Sequence, residues 1–225
     1  GMYKSGSNYA LNICIDSQNY RFHLTTNSKP NPKIAPNFCM LLRKHLIGLH
    51  IKNIITSNLE RIITIQFEGF DDIDDLIQKK LVVELMGKHC NIILLDDSNN
   101  IIDSIRHIYN NDDNKNTRAI LPHQKYSLPN SDKINFMDLK NFDDFKNSLL
   151  LEDSSVLTYN NLSEIISKTF TGISKNFISN TMALLDLHDV SNNTLETLYN
   201  YLKEIIFTTN PLNLNFKTCN NDKDY

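Results

Sequence analysis

Three groups of side chains in this sequence have the types and spacing to do chemistry. Arg43-Lys44-His45 closes the run Pro36-Asn37-Phe38-Cys39-Met40-Leu41-Leu42-Arg43-Lys44-His45-Leu46. At a helix end such cations complement the negative pole of the dipole. Equally, Arg offers a two-pronged donor and Lys a point charge to a phosphate. Glu60-Arg61 opens a second apolar stretch and reads, on residue types alone, as a surface ion pair of little energetic consequence. Glu84, Lys88 and His89 surround Met86-Gly87 within the apolar run Val82–Leu94. A carboxylate between Val83 and Leu85 is costly unless paired, and Arg43 or Arg61 is the natural partner. Gly87 implies a tight turn or a close backbone approach.

Further donors follow. Arg106-His107, Arg118 and Pro122-His123-Gln124-Lys125-Tyr126 interleave, with Tyr109, basic and aromatic side chains as an RNA-binding surface requires. His89 has no second ligand at a sensible spacing, so no metal is expected. There is no GxSxG, P-loop, GxGxxG or HExxH motif, and six glycines are too few for a phosphate-cradling loop. These features predict a binding protein rather than an enzyme, with no cofactor.

The elements that must carry these residues can be read from periodicity. Residues 3–15 read as a strand already under way, and residues 8–15 alternate so that Tyr9, Leu11, Ile13 and Ile15 share a face. Residues 20–25 are its hairpin partner, and the proline-bearing stretch 28–36 is a loop. Pro36 suits a first helical turn, and Gly48 suits the cap beyond Ile47. Strands are expected at 49–56, 61–68, 79–86 and 90–96, with 100–108 closing the set. Asp97-Ser98-Asn99-Asn100 is a hairpin turn, and 109–130 is irregular. Helices are expected at 138–150, 161–170, 174–186 and 192–207. Thr171-Gly172-Ile173-Ser174 between the second and third gives a helix-hairpin-helix or helix-turn-helix signal, with Ser174 as a cap. Residues 210–225 read as a tail. The class is α+β, with an α/β domain over 3–130 and a small helical domain over 131–209.

Composition bounds the partners. The 225 residues are 40% hydrophobic and 22% charged, with net charge −3. Residues 1–130 hold 15 Lys+Arg against 13 Asp+Glu, and residues 131–225 hold 8 against 13. A polyanion would therefore meet a local patch of the first half. The four cysteines are far apart and form no CxxC, so reduced cytosolic thiols are expected rather than zinc or a disulfide framework. No apolar run is long enough to span a membrane. Gly1-Met2 reads as an expression scar. The 31 asparagines, dense at 110–116, read as codon bias.

With the motifs taken together, the sequence resembles the NFACT-N region of the RqcH/FbpA/NEMF family, ribosome quality-control factors once called fibronectin-binding proteins in bacteria. The resemblance rests on NFCMLLRKHL (37–46), ERIITIQF (60–67), VVELMGKHCNIILLDDSNNIIDSIRH (82–107), Arg118 with the Leu-Pro pairs at 121–122 and 128–129, and FTGISKNFISNTM (170–182), colinear over 3–185. It implies a domain similar to the N-terminal domain of formamidopyrimidine-DNA glycosylases, followed by a helix-hairpin-helix-like domain. It implies binding to the large ribosomal subunit obstructed by peptidyl-tRNA, and recruitment of alanyl-tRNA for C-terminal tailing of the stalled chain. A cytoplasmic location follows. The family's tRNA-contacting Asp-Arg pair falls on Glu60-Arg61, with Glu in place of Asp. A second implicated patch falls on Glu84-Leu85-Met86. Arg43, Lys44, Lys88, His89, Arg106 and Arg118 become either RNA contacts or structural partners. The family's usual glycine after the first Leu-Pro is His123 here, and the family's first strand and helix have no counterpart. Two rival readings come with the resemblance. One is a fibronectin-binding adhesin; the other is a glycosylase-like DNA-repair protein, whose N-terminal proline nucleophile is not present in this sequence.

Overall fold

A computed structural model describes residues 2–4, 7–26, 30–56, 59–70, 73–109, 118–151 and 157–207. The Asn-rich stretch 110–116, the tail 210–225 and Cys219 lie outside them. The chain divides into two compact units, residues 1–131 and 132–225.

The first unit is built on antiparallel sheets. β1 (Met2–Lys4), β2 (Ser7–Cys14) and β3 (Arg21–Thr25) form a three-stranded sheet in that order. The stretch 3–15 is therefore two strands rather than one, with Met2 opposite Tyr9 and Lys4 opposite Ser7. α1 (Asn37–Leu46) starts after Pro36, whose carbonyl accepts from Met40 N at 3.1 Å, and Gly48 takes φ +90° just beyond its end. β4 (His50–Thr56), β5 (Ile62–Phe70), β6 (Leu76–Glu84), β7 (Asn91–Leu95) and β8 (Ile101–Ser104) then form a five-stranded meander. β6 begins three residues before the expected start, extending the pairing with β5 to Phe70 opposite Leu76. β8 ends at Ser104, well short of 108. Past that point the buried Asn91 side chain takes over the Arg106 backbone, accepting from its N at 3.0 Å and donating to its O at 2.8 Å.

The central strands are buried on both faces, which is why β7 (Asn-Ile-Ile-Leu-Leu) shows no alternation. One face gathers Ile65, Leu81, Val83, Leu85, Ile92 and Leu94 beneath Phe38, Leu41, Leu42 and Leu46 of α1 and Leu11, Ile13, Tyr20 and Phe22 of the hairpin. The other face gathers Ile62, Val82, Ile93, Leu95, Ile101 and Ile120, with Ile108 and Tyr126 packed against them. The described part of the irregular segment is tied to this second face by backbone bonds. Ile120 and Ile108 exchange two, His123 N donates to Ile101 O at 2.8 Å, and Tyr126 N donates to Asn99 O at 2.9 Å. His123 sits at φ +68°. A glycine would adopt that conformation without steric cost.

The second unit is helical: α2 (Phe142–Leu151), α3 (Tyr159–Thr169), α4 (Lys175–Leu184) and α5 (Asn192–Phe207). α2 starts four residues later than expected. The Asn135 side chain accepts from Met137 N and holds a single 3₁₀ turn at Phe136–Asp138, and the Asn141 side chain accepts from Asp144 N to open the helix. Phe136, Phe145, Phe170 and Tyr199 form an aromatic centre, with Phe145 and Phe170 stacked at 5.4 Å. Between α3 and α4, Gly172 turns at φ +73° and Ser174 Oγ accepts from Phe177 N at 3.2 Å. Ile134 pairs with Phe170 through Ile134 N to Thr169 O and Thr171 N to Ile134 O.

Candidate nucleic-acid interface

Four chain-distant segments meet at one end of the five-stranded sheet. Ile62, Glu84 and Asn91 lie side by side across β5, β6 and β7. Just past them come Arg61, the Met86–His89 turn and Arg106. The Arg61 carbonyl accepts from Leu85 N at 2.9 Å, fixing where the chain leaves β6. Gly87, at φ +56°, opens a 3₁₀ turn that displays Lys88 and His89 to solvent. Arg106 crosses from this turn to the β2–β3 connection: Nη1 donates to Lys88 O at 3.1 Å and Nη2 to Ile15 O at 3.4 Å. Asp16 closes that connection by accepting from Gln18 N and Asn19 N, each at 3.0 Å. These backbone bonds, with a smaller contribution from Arg106, hold the Asp16 carboxyl below its usual range.

Arg61 is exposed but not loose. Its Nη1 donates to the Tyr20 hydroxyl at 2.6 Å, and the guanidinium carbon lies 5.4 Å from the Tyr20 ring centre. Tyr20 in turn packs its ring on the core beneath α1. Glu60, half-buried, precedes it in the turn before β5.

Glu84 lies beneath this surface. It is 0% exposed, and Arg118 Nη2 sits 2.5 Å from both carboxylate oxygens. The Tyr126 hydroxyl donates to Oε1 at 2.8 Å. The partner of Glu84 is therefore Arg118, not Arg43 or Arg61. Arg118 also donates to Ser127 O and covers the Tyr126 ring, with its guanidinium carbon 5.3 Å from the ring centre. Burial first, and the Glu84 charge second, push the Tyr126 phenol well above its ordinary range, against a smaller opposing effect of Arg118. Leu85 is buried on the other face, and Met86 is half-buried.

The α1 cations lie elsewhere. α1 runs directly into β4, whose first residue pairs with Glu68, and Glu68 pairs with Gln78. From Gln78 to Glu84 is six strand residues, about 20 Å. Arg43 contacts Met40 Sδ at 3.7 Å. Partial burial, then Lys44 and Lys79, push His45 below its usual range. A cleft of about 310 Å³ opens near that end, lined by Gly48, His50, Glu68, Gly69, Phe70 and Leu76. Its one carboxylate, Glu68, is bound by Lys52 at 2.6 Å. Among the described residues, no group of three or more His, Cys, Asp or Glu could hold a metal ion, and no helix is long and apolar enough to cross a membrane.

The family model for NFACT N-terminal and middle domains matches residues 1–225. The chain belongs to the NFACT family. The Bacillus subtilis (strain 168) protein named Rqc2 homolog RqcH is 39% identical over 125 residues, covering 55% of this chain and 22% of that protein. An archaeal Rqc2 homolog, aRqcH from Methanocaldococcus jannaschii, is 34% identical over 135 residues, covering 60% and 18%. The matched stretch thus spans about a fifth of the length of these curated relatives. Among solved structures, a fibrinogen-binding protein from Staphylococcus aureus superposes with a TM-score of 0.72 at 25% identity, over 91% of this chain and 69% of that one. The N-terminal region of a fibronectin/fibrinogen-binding protein from Streptococcus suis gives 0.68 at 27%, over 88% and 70%.

In this NFACT chain the structure brings together Glu60, Arg61, Met86, Lys88, His89 and Arg106, places Glu84, Leu85 and Arg118 underneath, and leaves Arg43 and Lys44 apart. Sequence reasoning missed Tyr20, Asp16 and Asn91. Asn91 carried a signal: an asparagine between Cys90 and Ile92 in an apolar run needs buried partners. Tyr20 carried none, because its partner is 41 residues away.

Proposed function

We propose that this chain is the N-terminal part of a bacterial ribosome quality-control factor that binds obstructed large ribosomal subunits and recruits tRNA, alanyl-tRNA in particular, for C-terminal tailing of stalled chains. The observation that carries the reading is Arg61, exposed and braced at a sheet end that also displays Lys88 and His89. The relatives named Rqc2 homolog RqcH support it. Arg61 and Lys88 contact tRNA phosphates, and Met86 adds apolar surface. Glu84, Leu85 and Arg118 act from below by fixing the turn. Arg106 pins two backbone segments and serves the surface structurally. The chain contributes grip and placement; peptidyl-transfer chemistry belongs to the ribosome, and the setting is cytoplasmic. In this reading the first unit is glycosylase-like in fold and the second is helix-hairpin-helix-like, which the Gly172 turn between α3 and α4 supports.

The test is fluorescence anisotropy of a labelled alanine tRNA transcript with the 225-residue chain, between about 50 mM and about 200 mM salt. Arg61→Ala is expected to weaken binding roughly ten-fold and to flatten the salt slope by about one unit. Equal binding by wild type and Arg61→Ala would remove the assignment. Solid-phase fibronectin binding in the same buffer addresses the adhesin reading, the alternative raised by the fibronectin/fibrinogen-binding name of the Streptococcus suis structure. Saturable fibronectin binding without tRNA binding would replace the first reading by the second.

A further inference from the structure

Resting on the tRNA reading above, we infer that Tyr20 is a positioning residue for the site, holding the Arg61 guanidinium in the geometry that receives the RNA backbone. Arginine has one of the largest rotamer freedoms of any side chain, and an exposed arginine that must be ordered on binding loses that freedom at the cost of affinity. Here the order is present beforehand. The half-buried Tyr20 ring packs against the buried cluster of the sheet that holds Ile65, Leu81, Val83, Leu85, Ile92 and Leu94. The core thus fixes the position of the hydroxyl, and the hydroxyl accepts from Arg61 Nη1 at 2.6 Å. The same ring lies beside the guanidinium carbon at 5.4 Å, adding attraction of the cation to the π-face. The connection that carries Tyr20 is itself fixed. Asp16 caps it at Gln18 and Asn19, and Arg106 ties Ile15 to the Lys88 turn. The line of support therefore runs from core to Tyr20 to Arg61, and separately from Arg106 to Lys88, so that both cations share one rigid base.

Tyr20→Phe keeps the ring and its packing and removes only the acceptor, so the fold is retained. It is expected to weaken binding of the alanine tRNA transcript roughly five-fold. The salt slope should stay as in wild type, because no cation has been removed. In an Arg61→Ala background, Tyr20→Phe should add nothing, giving a coupling equal to its whole effect. A readout free of RNA accompanies this. The Arg61 Nε–Hε NMR signal should report a restricted side chain in wild type and a mobile one in Tyr20→Phe. Binding by Tyr20→Phe indistinguishable from wild type would overturn the inference alone. So would a Tyr20→Phe loss of the same size with and without Arg61, since the tyrosine would then act on its own account. Wild-type binding by Arg61→Ala would overturn the tRNA reading, and this role with it.

Discussion

Glu84 shows how far a single side chain can be read from sequence. Its place between Val83 and Leu85 demanded a cation, and the structure supplies one, but the cation is Arg118, 34 residues on. Nothing local distinguishes Arg118 from Arg43 or Arg61, because the pairing is set by which segment packs on the second face of the sheet. Arg118 is only 14% exposed, so Glu84→Gln would leave a largely buried guanidinium without its counter-charge. A loss of about 3 kcal/mol in urea denaturation is expected, with a smaller loss in the double variant Glu84→Leu/Arg118→Met. Tyr126 gives a pH signature. An unfolded tyrosine ionises near pH 10.0, whereas folded Tyr126 keeps its proton to higher pH. Its contribution to stability is complete below about pH 10 and is lost as pH climbs above it. Urea midpoints measured between about pH 9 and about pH 11 should therefore fall less steeply in Tyr126→Phe than in wild type.

At the level of elements, periodicity located the hairpin, α1, the meander and the last three helices to within a few residues. It did less well where side chains compete with backbone. Asn91 ends β8 and Asn141 opens α2, and neither competition has a period to detect. Turn chemistry was legible wherever glycine or serine stood at the turn, and was hidden where a bulkier side chain takes a positive φ. His123 is that case. His123→Gly should relieve the φ +68° conformation and raise stability by roughly 0.5–1 kcal/mol, after allowing for the larger freedom of glycine in the unfolded chain. A drop on differential scanning calorimetry would contradict this. Ser174→Ala should cost about 1 kcal/mol by removing the acceptor for Phe177 N, read as a lower melting temperature of the second unit.

For the whole molecule, the uneven charge of the two halves was plain in the sequence, while the convergence of distant residues on one sheet end was not. Binding of the tRNA transcript should slow amide hydrogen exchange at 16–20, 60–62, 85–89 and 105–107 and leave α3 to α5 unchanged. Slowing confined to the helical unit would place the interface there instead. The links that build the sheet end span long stretches of chain: Tyr20 to Arg61, Ile15 to Arg106, Glu84 to Arg118. Long-range contacts of this kind form late, because much chain must be ordered before they are made. Synthesis adds a stricter limit. When the first hundred residues have been translated, Tyr20 and Arg61 are both available, yet the Glu84 carboxylate has no guanidinium to meet and the Lys88 turn has no Arg106 to pin it. The surface offered to RNA is thus completed only after residue 118 has been translated, so a nascent copy cannot present its finished grip to tRNA while that part of the chain is still being made.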